Sequence, residues 1–122
     1  MAYYSGFTYA DFTVGQVVKI HRKVLSAAAG KVGRVTSVSA DENEVSLIVD
    51  GKGYTFWTGW LTPLSTPAFE SHEAGRWVTL VGQDGSSRPV TFLGYEPSGH
   101  ARYAEGHITM SVTLAENIAI TN

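Results

Sequence analysis

Val45-Ser46-Leu47-Ile48-Val49-Asp50-Gly51-Lys52-Gly53-Tyr54-Thr55-Phe56-Trp57 is the stretch from which the fold of this chain is read, and Thr58-Gly59-Trp60-Leu61-Thr62-Pro63-Leu64 continues it. Val45, Leu47 and Val49 recur at every second position and so share one face of a strand, with Ile48 on the other. Asp50-Gly51, with Gly53 close behind, supplies residues that tolerate the positive φ of a tight hairpin turn. The return strand alternates Tyr54 and Phe56 against Thr55 and Trp57, and Pro63, which cannot donate to a ladder, ends or edges whatever Trp60 and Leu61 begin. The pattern predicts a β-hairpin that forms the second half of a small all-β unit.

Upstream, Gly15 to Lys23 reads as a first strand with Val18 and Ile20 on one face and Val17, Lys19 and His21 on the other. Val24 to Gly30 is a loop, because Ala27-Ala28-Ala29 is too short for a helix that stands alone. Val32 to Ser39 resumes β character, and the opposite parity of Val35 and Val38 predicts a bulge or sharp bend in this stretch. Asp41-Glu42-Asn43 is a polar turn.

Gly15 to Ile20, Gly30-Lys31-Val32-Gly33-Arg34-Val35, Val45 to Val49, the Asp50-Gly51 turn and Trp60-Leu61-Thr62-Pro63-Leu64 follow one another in an order that resembles the five-strand SH3-like barrels, the KOW type in particular. The resemblance covers residues 13–65. It implies binding to nucleic acid, peptide or a protein neighbour rather than catalysis. The acidic turn from Asp41 to Glu44 departs from what an RNA-binding face of that family would carry.

Beyond Thr66-Pro67 the chain reads as a linker over 66–74, and then the strand pattern starts again over 75–122. Gly15-x-x-Val18-x-Ile20 can be set against Gly75-x-x-Val78-x-Leu80. Each is followed by a Val-Thr strand (Val35-Thr36, Val90-Thr91), a longer alternating strand and a short aliphatic close (Leu61 to Leu64, Ile118 to Ile120). The expected fold is therefore all-β: an SH3-like small barrel followed by a second small β unit, the pair standing as a degenerate repeat or as one irregular domain. Ile108, Met110, Val112 and Leu114 alternate with Thr109, Ser111 and Thr113, which predicts a strand with the apolar set turned inward.

Composition bounds the function. In 122 residues, 43% hydrophobic and 16% charged, there is enough apolar material for a core and no cysteine for a disulfide, a thiolate nucleophile or a cysteine metal site. The chain opens on neither the basic start nor the apolar run of a signal peptide, so a cytoplasmic or virion location is expected rather than secretion by that route. A net charge of −2 argues against a general polyanion binder. That charge is uneven: residues 1–66 hold six Lys/Arg against five acids, +1, and residues 67–122 three against six, −3.

His21, His72, His100 and His107 have no metal-site spacing, and no nucleophile elbow, phosphate loop or dinucleotide fingerprint occurs. No catalytic residue, metal or cofactor is therefore assigned. The first twelve residues carry Tyr3, Tyr4, Phe7, Tyr9 and Phe12, too many rings to leave in water, so this arm docks either on its own barrel or on a neighbour. Trp57 and Trp60, three apart, cannot face one core from a continuous strand, which marks one of them as exposed or at a contact. Tyr3, Tyr4, Phe7, Tyr9, Trp57 and Trp60 are thus the candidate partner-binding residues. Lys19, Arg22, Lys23, Lys31 and Arg34, near Tyr54 and Trp57, form the competing candidate, a nucleic-acid face.

The expected function is a non-enzymatic assembly or protein-binding module with homo- or hetero-oligomeric protein neighbours. A small structural protein of a phage virion (capsid decoration, neck or tail) is one such module. The alternatives are a nucleic-acid-binding barrel and a viral inhibitor or adaptor that docks on a host protein.

Overall fold

The computed structural model describes residues 4–64, 69, 73–106 and 109–120; Tyr3, most of the 66–74 linker, His72, His107 and Ile108 lie outside the described residues. Among the described residues ten strands follow in chain order: β1 Val17–Ile20, β2 Val32–Ser39, β3 Glu44–Val49, β4 Lys52–Trp57, β5 Leu61–Pro63, β6 Trp77–Val81, β7 Ser87–Tyr95, β8 Ala101–Glu105, β9 Thr109–Thr113 and β10 Ile118–Ala119. The protein is all-β, with its strands in two five-stranded antiparallel sheets ordered β4-β3-β2-β1-β5 and β10-β6-β7-β8-β9. Each sheet anchors its own unit; the turn 82–86, which lies in the second half of the sequence, belongs to the first.

In the first unit, Asp50 (φ 50°) and Gly51 (φ 77°) both take the left-handed conformation of a two-residue hairpin loop, which sets Leu47 opposite Tyr54 and Val45 opposite Phe56. Val45, Leu47 and Val49 are buried, each adding about 1.5–3 kcal/mol relative to exposure. The expected bulge falls between Val35 and Ser37. In β1 the expected two-faced alternation gives way to burial of both Val17 and Val18, because the side facing away from the core is also covered. The 21–31 loop contributes Val24 and Ala28 to the core and leaves Leu25 wholly exposed. Gly33 lies where a Cβ would stand 2.7 Å from the Ile48 carbonyl oxygen and from Val49 Cγ2, so only glycine lets β2 and β3 approach this closely.

The turn 82–86 joins this unit through backbone and side-chain bonds. The Gly51 N–H donates to the Asp84 carbonyl (2.8 Å), and Arg34 Nε donates to the Gly82 carbonyl (3.0 Å). Gly85 (φ 76°) packs so tightly on the Ile48 carbonyl that a side chain has no room.

The second unit buries Val78, Leu80, Val90, Phe92, Ala101, Tyr103 and Ile118, with Phe69 laid against Phe92 at 4.7 Å between ring centroids. One expectation is reversed. Met110, Val112 and Leu114 are 77%, 50% and 47% exposed, while Ser111 stands opposite the buried Tyr103 and Thr113 opposite the buried Ala101. Directly opposed residues of an antiparallel pair share a face, so it is the hydroxyl set of β9 that faces the core. Alternation reports a period of two, not the side on which the core lies.

The two sheets repeat each other in strand order and in several matching registers. Each has the order 4-3-2-1-5 when its strands are counted from its own start, and each inserts a 3-10 turn (Thr58–Trp60, Ala115–Asn117) before its fifth strand. Gly15 (φ 89°) donates its N–H to Val35 O and Gly75 (φ 98°) to Phe92 O, while Val35 N–H returns to Gln16 O and Phe92 N–H to Arg76 O. Ile20 opposes Leu61 as Leu80 opposes Ile118, and the bulge between Val35 and Ser37 recurs between Phe92 and Gly94. These registers equate Val35 with Phe92. The pairing of Val35-Thr36 with Val90-Thr91 expected from the sequence is therefore displaced by two residues, since both pairs present a Val-Thr but only the ladder fixes which valine is which.

Candidate functional site

The candidates of the first unit fall into three groups. The arm is tied down by its backbone: the Tyr4 and Ser5 N–H groups both donate to the Gly59 carbonyl (2.8 and 2.9 Å), Ser5 Oγ donates to Leu61 O (2.9 Å), and the Tyr9 N–H donates to Asn43 Oδ1 (3.0 Å). Phe12 is buried, but Tyr4, Phe7 and Tyr9 remain exposed at 38%, 36% and 45%. The Tyr4 ring stacks on His21, 4.1 Å between centroids and 10° from parallel. The Lys23 N–H donates to His21 Nδ1, which leaves the ring proton of the neutral imidazole on Nε2. The arm thus packs on its own unit while presenting three rings outward.

Trp57 and Trp60 resolve their parity conflict through the 3-10 turn between them. The turn breaks the period of two, and the rings stack on each other (5.8 Å, 23°), both half-buried. Trp60 also meets Phe56 at 6.2 Å and packs against the core.

The basic group separates. Arg34 is 4% exposed, its Nη1 donating to the Gly15 carbonyl (2.9 Å) and its Nε to Gly82 O, so it is a structural cation rather than part of a nucleic-acid face. Lys31 pairs with Asp50 at 3.7 Å. Lys19 and Arg22, with His21, Gly30 and Thr62, line a shallow groove of about 380 Å³, and Lys23 is exposed beside it. In the 82–86 turn, the Ser86 hydroxyl (2.6 Å) and N–H (3.0 Å) donate to Asp84 Oδ1 and hold that carboxyl below its ordinary value.

The second unit carries a surface that sequence reading did not single out. Trp77 (71% exposed), Thr91, Ala104 and Met110 are registered side by side across β6, β7, β8 and β9, and Arg102 lies beside Val112. Leu93, Glu96, Arg102, Met110, Ser111 and Val112 line a groove of about 320 Å³. The outer face of this sheet thus carries exposed Trp77 on β6 and an exposed apolar row, Met110, Val112 and Leu114, at its β9 edge, with Thr91, Ala104 and Arg102 between them. Its signal was present in the sequence but read inward; the bulky Tyr103, for which small inward partners on β9 leave room, could have turned the reading round.

Among the described residues no three His, Asp or Glu side chains gather where they could hold a metal ion, and no helix is long and apolar enough to cross a membrane. No protein-family model and no curated protein sequence matches the chain.

Proposed function

We propose that this protein is a non-enzymatic assembly or protein-binding module, of the kind that serves as a small structural subunit of a phage virion. The observation that carries the reading is the outer face of the second sheet, where Trp77, Met110, Val112 and Leu114 stand exposed together. Scattered apolar residues are ordinary on a surface, but an exposed apolar row along one strand edge, Met110, Val112 and Leu114, with Trp77 on the same face, has the tryptophan and methionine that contact cores favour. The five-stranded antiparallel order 4-3-2-1-5 of the first unit is compatible with the SH3-like reading of residues 13–65, a class that implies binding.

The test is native mass spectrometry of protein purified from its natural source, wild type against the double variant Trp77→Ser/Met110→Ser. Both side chains are largely exposed, so the variant keeps its melting temperature to within a few degrees. The reading expects a stoichiometric protein neighbour in the wild type and its loss in the variant; a wild type without any protein neighbour refutes it.

One observation favours a second reading, nucleic-acid binding: Lys19 and Arg22 flank the groove beside the stacked Tyr4 and His21 rings. It expects a gel shift at low salt that weakens steeply as salt rises and is lost in Lys19→Ala/Arg22→Ala. No shift at low salt removes it.

A further inference from the structure

The four sheet edges of this fold are not alike. β4 carries the exposed Lys52, β5 ends on Pro63, and β10 is two residues long. A lysine, a proline and shortness are the usual devices that blunt an edge against pairing with another chain. β9 has none of them: Thr109-Met110-Ser111-Val112-Thr113, and Leu114 after it, contain no charge, no proline and no glycine. It has β8 on one side and is the outermost strand of its sheet on the other. Such an edge offers a row of main-chain donors and acceptors together with an apolar row of side chains.

We infer that β9 is a pairing edge and that its occupant is β9 of a second copy of this chain, joined antiparallel across a two-fold axis at Val112. The inference rests on the assembly reading above and names the partner. A two-fold contact must be self-complementary, and the β9 pattern is. Val112 meets Val112, Met110 meets Leu114, and Ser111 meets Thr113, so apolar faces apolar on the outer side and hydroxyl faces hydroxyl on the inner side. No charge on β9 meets its like. The nearest cation beside the axis, Arg102 opposite Val112 on β8, stands three strand spacings, about 14 Å, from its symmetry mate. That exceeds the screening length of about 8 Å at physiological salt, so like-charge repulsion does not oppose the pairing.

The absence of cysteine from the chain gives a direct test. Directly opposed residues of an antiparallel pair have Cα atoms about 4.5–5.5 Å apart, inside the range a disulfide spans. V112C is therefore expected to form a covalent dimer under oxidised glutathione. M110C alone is not, whereas M110C/L114C is, because residue 110 meets 114 and not itself. L25C, on a fully exposed loop, sets the rate of chance collision. Light scattering on the wild type is expected to give twice the 13.2 kDa chain mass, and V112K, in which two cations meet on the axis, to give one chain mass while keeping the wild-type circular-dichroism spectrum.

A wild type at 13.2 kDa at every concentration, with V112C crosslinking no faster than L25C, overturns the inference. So does a strand of a different protein found on this edge in native material and lost in V112K, although the assembly reading then stands. A wild type that is monomeric and carries no neighbour sinks both. A dimer in which M110C alone crosslinks as fast as V112C overturns the two-fold at Val112.

Discussion

Replacing Arg34 with methionine separates its structural role from the nucleic-acid role that its sequence context suggests. Methionine keeps an unbranched apolar stem of similar length and removes only the guanidinium. Two opposed terms follow. Loss of the guanidinium relieves its desolvation, since the residue is 4% exposed. Against that, the carbonyls of Gly15 and Gly82 lose donors at 2.9 and 3.0 Å. An orphaned buried carbonyl costs about 1–3 kcal/mol, and bonds from a charged donor sit at the upper end of hydrogen-bond strengths. Gly15 is exposed and Gly82 half-buried, so water can reach part of what is orphaned and the sum belongs near the bottom of the range, about 2–3 kcal/mol. For a unit of this size that lowers Tm by roughly 8–24 °C, at about 4–8 °C per kcal/mol. Arg34→Lys retains the charge but not the fork, so it should recover less than half of the loss. Urea denaturation followed by tryptophan fluorescence, to which Trp57 and Trp60 of this unit and Trp77 of the second contribute, measures both variants. A midpoint for R34M within the error of the wild type refutes the structural assignment, and reduced nucleic-acid binding at unchanged stability would return Arg34 to the basic face.

Glycines with similar φ should diverge by their surroundings: Gly51→Ala, at φ 77° in open space, costs about 1–2 kcal/mol, whereas Gly85→Ala, at φ 76° against the Ile48 carbonyl, costs more than about 3 kcal/mol. Equal losses in chemical denaturation would show that the 82–86 turn does not seat on β3. Phe92→Ala, removing a ring that is 1% exposed, should destabilise the second unit by about 3–5 kcal/mol as read by denaturant midpoint. The Asp84 carboxyl is depressed by its Ser86 bonds, so its contribution to stability is present above the ordinary carboxylate range and is lost as pH falls through the folded value. Carboxyl NMR should show Ser86→Ala moving that titration upward; an unmoved titration rules out the Ser86 cause.

Much of the fold was legible because local rules and tertiary structure agree there. Asp50-Gly51 needed two positive φ values and has them, and the parity change from Val35 to Val38 located a real bulge. The Gly15 and Gly75 frames could be set against each other on the pattern Gly-x-x-Val-x-aliphatic, and both glycines, two residues ahead of β1 and β6, take positive φ. The site was less legible, for three physical reasons. Arg34 is held by backbone carbonyls, which leave no mark in a sequence, so a buried cation looked like a surface one. The Trp57–Trp60 inference assumed one continuous strand, and a 3-10 turn changes the phase. The apolar row of β9 was placed inside because apolar residues usually go there, while the deciding fact was the size of Tyr103 on the neighbouring strand.

That same size relation bears on how two copies of one topology in one chain avoid exchanging parts as they fold. In the first sheet the third strand brings Val45 and Leu47 to the core and the fourth answers with the larger Phe56 and Tyr54. In the second, Tyr103 is answered by the smaller Ser111, while Thr113 stands opposite Ala101. If β4 took the place of β9, Tyr54 would meet Tyr103 and overfill the space; if β9 took the place of β4, Ser111 would meet Leu47 and leave a void. Either exchange costs on the order of 1–5 kcal/mol per position. At Leu47–Tyr54 and Tyr103–Ser111 the large and small partners are thus reversed between the two sheets, and that reversal disfavours either exchange.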